Sequence, residues 1–317
     1  MSDYSNDISP RTMNRVLLDK LMSDDMAEVK KASRGLDDYT RLEVQEKGFA
    51  RKILPPVPIT NDDLDKQLNT EINVKLFEMA PDSPGCMSVP YGGLPMNRLM
   101  KIGRYPVYFA RLQTPRFIAD ASSLRTLDID LRQYVSDSAV NDMLAEEDTG
   151  LLSAVNSVMI GPNTIVPETG VAHWVEIAGG ITRDGVNEAL KIMPRSSRKF
   201  EAQTVLVNTI FVKDVQKWTR NEVGGNLAEE ILRDGWAERP MLGRTWLTTI
   251  KRELVGDYTM YMFAEPKALG KFCILEDVTM YVDRKAFMLE FFAYSEVGAA
   301  IGNVGGVARA DFVGASI

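Results

Sequence analysis

The stretch LRQYVSDSAVNDMLAEEDTGLLSAVNSVM, residues 131–159, carries the strongest periodicity in the chain. Its apolar residues are Leu131, Val135, Val140, Met143, Leu144, Leu151, Leu152, Val155, Val158 and Met159, the three- and four-residue spacing of one helical face. Gly150 is the only weak point in the pattern. At ~1.5 Å per residue such a helix runs on the order of 40 Å, too long for a small domain to wrap. Asp142, Glu146, Glu147 and Asp148 read as an acidic flank along its outer side.

On the N-terminal side, Ile72, Val74 and Leu76 alternate with Asn73 and Lys75, and residues 104–112 form a second strand-like run. Between them lies a tip broken by Pro and Gly, so the pair reads as an extended hairpin lying mostly outside its own core. An isolated two-stranded hairpin is marginal in water and needs a surface to lie on. Further upstream, the prolines of KILPPVPI (52–59) at 55, 56 and 58 force their predecessors out of the helical region, which predicts an extended strap outside the core. The first fifty residues carry dense charge of both signs. Val16, Leu17, Leu21, Met22 and Met26 are spaced as a helical face, which predicts a helical arm ending near Gly48.

On the C-terminal side, short elements alternate from Gly161 onward. Helices are expected from Arg183 to Met193, from Phe211 to Trp218 and after Asn226, where Glu229 completes a capping-box spacing and Gly235 a stop. Strands are expected at 204–207, 245–250, 258–263 and 271–275, making a compact mixed domain. The last forty residues are strand-dominated, at 278–282, 286–294 and 307–312, with a glycine-rich link at Gly298, Gly302, Gly305 and Gly306. Such strands need a covering helix.

The whole chain has 317 residues, 45% hydrophobic and 26% charged, enough to bury a core without disulfides or metal. Thirty-seven basic against 44 acidic residues give a net charge of −7, which argues against a surface built to grip phosphates. Cys86 and Cys273 lie far apart without metal or disulfide spacing. Residues 1–7 are polar and acidic, so no secretory leader is expected, and no run approaches ~18 apolar residues, so no membrane span is expected.

Catalytic constellations are equally sparse. His173 is the only histidine, and with no G-x-S-x-G nearby it reads as a strand-edge residue beside Trp174 rather than a base. With Glu176 it makes an incomplete zinc ligand set. GAAIGNVGG (298–306) lacks both the G-x-G-x-x-G pattern and the G-K-[ST] ending, and no helix follows it. Sixteen methionines exceed common usage; Met79, Met87, Met96 and Met100 gather in the hairpin, where adaptable thioethers suit a partner surface. No catalytic, cofactor or metal site is expected, and the chain reads as no enzyme.

The order of elements resembles the major capsid proteins of tailed bacteriophages, which share the Hong Kong ninety-seven fold. The resemblance is carried by EKGFARKILPP (46–56), TPRF (114–117), DLRQYVSDSAVNDMLAEED (130–148) and LEFFAYSEVGAAIGNVGGVARADF (289–312). It implies an α+β subunit with an N-terminal arm (1–70), an extended E-loop hairpin (71–118), a peripheral domain with a long spine helix (119–160), an axial domain (161–277) and C-terminal strands that complete the peripheral domain (278–317). It further implies hexamers and pentamers tiling an icosahedral head around packaged DNA, without sequence-specific contact. Expected partners are other copies of the chain, a separate scaffolding protein, a portal protein and in some cases a decoration protein, with assembly in the host cytoplasm and residence in the virion.

Contact candidates follow from the same resemblance. Leu94, Met96, Arg98, Leu99, Met100, Lys101 and Arg104 at the E-loop tip would meet Asp142, Glu146, Glu147 and Asp148 on a neighbour's spine helix. An encapsulin-like nanocompartment shell is the alternative, and a cytosolic enzyme using residues 161–277 a third reading.

Overall fold

The computed structural model describes residues 10–22, 27, 48–65, 72–79, 88–89, 91, 93, 102–120, 123, 131–218, 239–241, 243–285 and 287–314. The chain opens with helices α1 (Pro10–Leu21) and α2 (Phe49–Ile53), then strands β1 (Pro56–Pro58), β2 (Val74–Met79) and β3 (Gly103–Tyr108). Strands β4 (Ala110–Gln113) and β5 (Phe117–Asp120) precede the long helix α3 (Leu131–Ser157). There follow β6 (Ile165–Val166), β7 (Val171–Ala172), β8 (Trp174–Ala178), α4 (Arg183–Leu190), α5 (Ile192–Arg195), β9 (Thr204–Asn208) and α6 (Thr209–Val215). The remainder is β10 (Arg239–Met241), β11 (Arg244–Thr249), β12 (Thr259–Phe263), α7 (Pro266–Leu269), β13 (Gly270–Lys285), β14 (Met288–Ile301) and β15 (Val307–Val313). The helix expected after Asn226 lies outside the described residues.

Two sheets organise the chain, and α3 joins them. The six-stranded sheet has the order β10-β11-β9-β12-β15-β8; the other has the order β1-β13-β14-β4, with β5 also on β14. The N-terminal half of α3 buries Val135, Val140, Met143 and Leu144 against Met280, Leu289 and Phe291 of the second sheet, with Leu18 and Leu21 of α1 closing the cluster. Its C-terminal half buries Leu151, Leu152 and Val155 against Leu206, Leu247 and Phe263 of the six-stranded sheet. One helix therefore serves two cores, which is why its apolar stripe is so long. Gly150 interrupts nothing, because no atom outside the helix backbone comes within 4 Å of where its Cβ would sit.

The centre of the six-stranded sheet is covered on both faces, so β9 and β12 read as nearly continuous apolar runs. Along β9, Val205 and Val207 face α4, α5 and α6 while Leu206 faces α3. Trp246, Phe211 and Phe312 fill the first of these layers, with Phe211 edge-on to Phe312 at 5.4 Å.

Several expectations need correction. The strap is not outside the core: Ile53 and Leu54 are buried, and β1 pairs in parallel with β13 at Phe272, Cys273 and Ile274. Within α1 the buried face is Asn14, Leu18 and Leu21, while Val16 points outward; Met26 lies outside the described residues. The runs at 271–275 and 278–282 are one strand, β13, bent by register shifts between Ile274 and Thr279, so a boundary at 277 cuts a continuous element. The glycine link begins later than its composition suggests, since Gly298 lies inside β14.

β15 does not complete the sheet of β13 and β14. It runs between β12 and β8, because Ala308, Ala310 and Phe312 fit the layer under α4 and α5. Its entry is fixed by a short turn, where Asn303 Oδ1 accepts from Gly305 N at 3.1 Å and Gly302 N donates to Leu269 O.

His173 is buried, with Nδ1 2.7 Å from the carbonyl of Val307 and Nε2 2.7 Å from Thr169 Oγ1. A carbonyl only accepts, so Nδ1 carries the proton and Nε2 accepts from the threonine hydroxyl. Desolvation lowers the His173 pKa, against the bond to Val307 that raises it. The folded state thus holds the neutral ring, and its contribution is complete above the unfolded value near 6.5 and lost as pH falls below it. Asp148 acts in the opposite sense, because burial raises its pKa. Unfolding of subunits at pH 7.5 and pH 5.5 should therefore show a smaller acid loss in His173→Gln than in the unaltered chain. Equal losses would mean that the ring is charged in the fold.

Candidate subunit-contact surfaces

The hairpin β2–β3 has two unlike faces, set by its register of Val74 with Tyr108 through Met79 with Gly103. One face carries Phe77, Tyr105 and Val107. Val107 is fully buried in a cluster with Ile59, Phe109 and Cys273, and Phe77 stacks on Tyr105 at 6.1 Å. Burial raises the Cys273 thiol to about 11, so it is a packing residue and not a nucleophile. The opposite face leaves Ile72, Leu76, Ile102 and Tyr108 exposed.

The hairpin base is seated on glycines. A Cβ at Gly298 would lie 2.6 Å from the carbonyl oxygen of Tyr108, and one at Gly302 would lie 2.5 Å from the Tyr105 ring. Strand β3 can approach this closely only because those positions lack a side chain. At the far end of the described hairpin Met79 still touches the body, its Sδ lying 3.8 Å from Arg198 Nη1.

Of the tip residues, Leu94, Met96, Arg98, Leu99, Met100 and Lys101 lie outside the described residues. Arg104 is described: its guanidinium donates to Glu78 across the hairpin at 3.0 Å, and both side chains stay exposed. An exposed pair of this kind is worth ~0.2–1 kcal/mol.

The four acids of α3 do not form one outer flank. Asp142 and Glu146 are exposed, whereas Glu147 and Asp148 are buried. A 3.6-residue period explains the split, since 147 and 148 fall on the stripe between Met143, Leu144 and Leu151, Leu152. Their partners come from distant segments. Arg51 of α2 grips Glu147 in a two-bond fork, Nε to Oε2 at 2.9 Å and Nη2 to Oε1 at 2.7 Å. Asp148 accepts from the backbone N–H of Ala50 at 2.9 Å and from Lys251 Nζ at 2.6 Å. Burial works against the Arg51 charge, but the bonds and attraction to Glu147 and Asp277 outweigh it and hold the guanidinium above its ordinary pKa. For Asp148 burial wins and raises the carboxyl, with Lys251 and Ala50 opposing. These two acids clamp α2, which leads into the strap, and Lys251 to the long helix within one chain.

Arg51, Lys251, Gly298 and Gly302 were not singled out as site residues by the sequence reading. The helical period would have exposed the buried acids, because any charge on an apolar stripe demands a partner. Nothing local names that partner.

Among the described residues no group of three or more His, Cys, Asp and Glu could hold a metal ion, and no helix is long and apolar enough to cross a membrane. No protein-family model matches the chain, and no curated protein sequence does so either. Solved structures do match. The mature capsid of bacteriophage PhiM1 aligns with a TM-score of 0.59 at 8% identity, covering 85% of this chain and 88% of that one. The capsid of an empty GTA particle aligns with a TM-score of 0.55 at 14% identity, covering 84% and 89%. A virus-like particle from Pyrococcus furiosus aligns with a TM-score of 0.53 at 11% identity, covering 88% and 98%. Two sheets bridged by one long helix, with the hairpin β2–β3 packed on the second of them, give this chain the α+β architecture of the Hong Kong ninety-seven fold.

Proposed function

We propose that the chain is a major capsid protein whose copies form hexameric and pentameric rings, tiling the icosahedral head of a tailed phage around packaged DNA. The observation that carries this is the two-faced hairpin: it keeps Ile72, Leu76, Ile102 and Tyr108 exposed together, an apolar surface that a neighbouring copy would cover. Such a contact is heterologous, one surface meeting a different one, and closes into rings when the rotation allows. A separate scaffolding protein, a portal and in some cases a decoration protein would complete assembly in the host cytoplasm. The net charge of −7 suits a wall that meets DNA without gripping it. Sedimentation and negative-stain microscopy of the expressed chain should give rings or shells; a stable small oligomer would point to the enzyme reading and refute this one.

The alignment with the Pyrococcus furiosus particle, which covers 98% of that chain, favours a second reading, a nanocompartment shell. Particles treated with nuclease and then opened decide between them. Protected DNA supports the head, and a protein cargo supports the compartment.

Within a ring, Arg98 and Lys101 of one hairpin are proposed to meet Asp142 and Glu146 of the next copy. Leu94, Met96, Leu99 and Met100 would supply apolar burial at ~25 cal/mol per Å². Reversing Arg98 and Lys101 to Glu should impair ring formation, and reversing Asp142 and Glu146 to Lys in the same chain should partly restore it. Normal assembly of the first variant would exclude the pairing. Glu147 and Asp148 take no part, since both serve the clamp.

No Lys–Asn isopeptide cross-link is expected between subunits. KAFMLEFFAY (285–294) contains no asparagine, and Asn303 is buried and capping its own turn. Denaturing electrophoresis of particles should give a single band at 35.4 kDa, and a covalent ladder would refute this.

A further inference from the structure

The six-stranded sheet ends in two edge strands, β8 on one side and β10 on the other. Along β8, His173 O accepts from Arg309 N of β15 at 2.7 Å. Backbone groups of successive strand residues face opposite sides, so Trp174, Glu176 and Ala178 present theirs to the open side. Asn163 lies there. Its backbone N–H donates to Trp174 O at 2.7 Å, and its side-chain Oδ1 accepts from Glu176 N at 3.1 Å. A residue of a parallel neighbouring strand would make these two bonds with its own N–H and C=O. Asn163 makes the second with its side chain, because its backbone has turned into the left-handed region at φ 56°. Asparagine is among the few residues that enter that region readily. The edge is thus filled by one residue imitating a strand, and the turned backbone lets no strand continue from it.

The other edge is closed differently. Thr245 N donates to Gln203 O at 2.9 Å, so the backbone of Thr245 faces β9, and Pro240, its partner in β10, is turned away from β11. Between Arg239 and Met241, β10 therefore offers its open side a nitrogen without a hydrogen. Two open edges on one sheet would be a hazard. Strand β10 of one copy set beside β8 of the next would extend the sheet head to tail, a contact that repeats without closing. Ile160 and Ile165, 63% and 64% exposed and within three residues of Asn163, would add apolar surface to such a seam.

We infer that Asn163 is an edge guard, which holds β8 shut against strand addition by a second copy of this chain while Pro240 guards β10. The device belongs to the single subunit and does not depend on the shell reading above.

Hydrogen exchange and thioflavin fluorescence of the full chain test it. Asn163→Gly keeps the left-handed backbone and its N–H but deletes Oδ1, and should speed exchange of the Glu176 amide about fivefold or more. Asn163→Asp keeps the acceptor and should leave that exchange unchanged. Asn163→Gly with Pro240→Val opens both edges and should give thioflavin-positive fibres under conditions where the unaltered chain gives none. Asn163→Asp with Pro240→Val, which loses the same proline but keeps the guard, should give none. Unchanged Glu176 exchange in Asn163→Gly would overturn the guard, as would fibres from the Asp control or their absence from the folded Gly double variant. If the double variant does not fold, exchange in Asn163→Gly alone decides, because that change touches only an exposed side chain.

Discussion

Replacing Glu147 by alanine should cost about 3–5 kcal/mol of unfolding free energy, whereas Glu146→Ala, one residue away, should stay within about 0.5 kcal/mol. The two acids share composition and helix but not environment. Glu147 is fully buried and its partner Arg51 is 4% exposed, so removing the carboxylate strands a guanidinium away from water with only Asp277, at 3.4 Å, to offset it. Glu146 stands in solvent. Urea unfolding of unassembled subunits measures the difference. Exchanging both members for apolar residues, Arg51→Met with Glu147→Leu, should recover most of the loss, because the cost lies in the unpaired charge rather than in a net gain from the pair. If Glu147→Ala loses no more than Glu146→Ala, the clamp between strap and long helix is not formed.

Gly298→Ala should destabilise the subunit by about 1–3 kcal/mol and reduce assembly far more than stability alone accounts for. The added methyl would sit 2.6 Å from the Tyr108 oxygen and 2.8 Å from Val107 Cγ1. The first of these atoms is backbone and cannot swing aside. The hairpin base must lift from β14, and in the proposed shell that shift disturbs the surface the hairpin would offer to a neighbour. Gly150→Ala supplies the contrast. It lies in mid-helix with open space around the new methyl, and should stabilise by about 0.4–1 kcal/mol while leaving assembly intact. Hydrogen exchange over residues 103–108 reports the seat directly, and protection unchanged in Gly298→Ala would show that the hairpin does not rest there.

Much of the architecture was legible in the residues. The stripe from Val135 to Val155 foretold α3, the alternation at Val74 and Leu76 foretold β2, and the apolar runs at 204–207 and 258–263 foretold β9 and β12. These are local signals, because a period of 3.6 or 2 is written within one element and reports which side is buried. The resemblance to phage capsid subunits rested on the order of such elements, and the fold bears it out.

What covers each buried side was decided only by tertiary structure. Glu147 meets Arg51 across 96 residues, and Asp148 meets Lys251 across 103. Neither pairing has any trace in local spacing, so by sequence alone both acids read as solvated. Strand β15 reads like a continuation of β14, but its small residues suit a layer beneath α4 and α5 in the other sheet. The strap likewise reads as extended from its prolines alone, while its burial depends on β13 being there to receive it. Backbone preference and periodicity act within a few residues and so survive in the sequence, whereas charge pairing and strand order are settled by whichever distant segment removes the most surface from water.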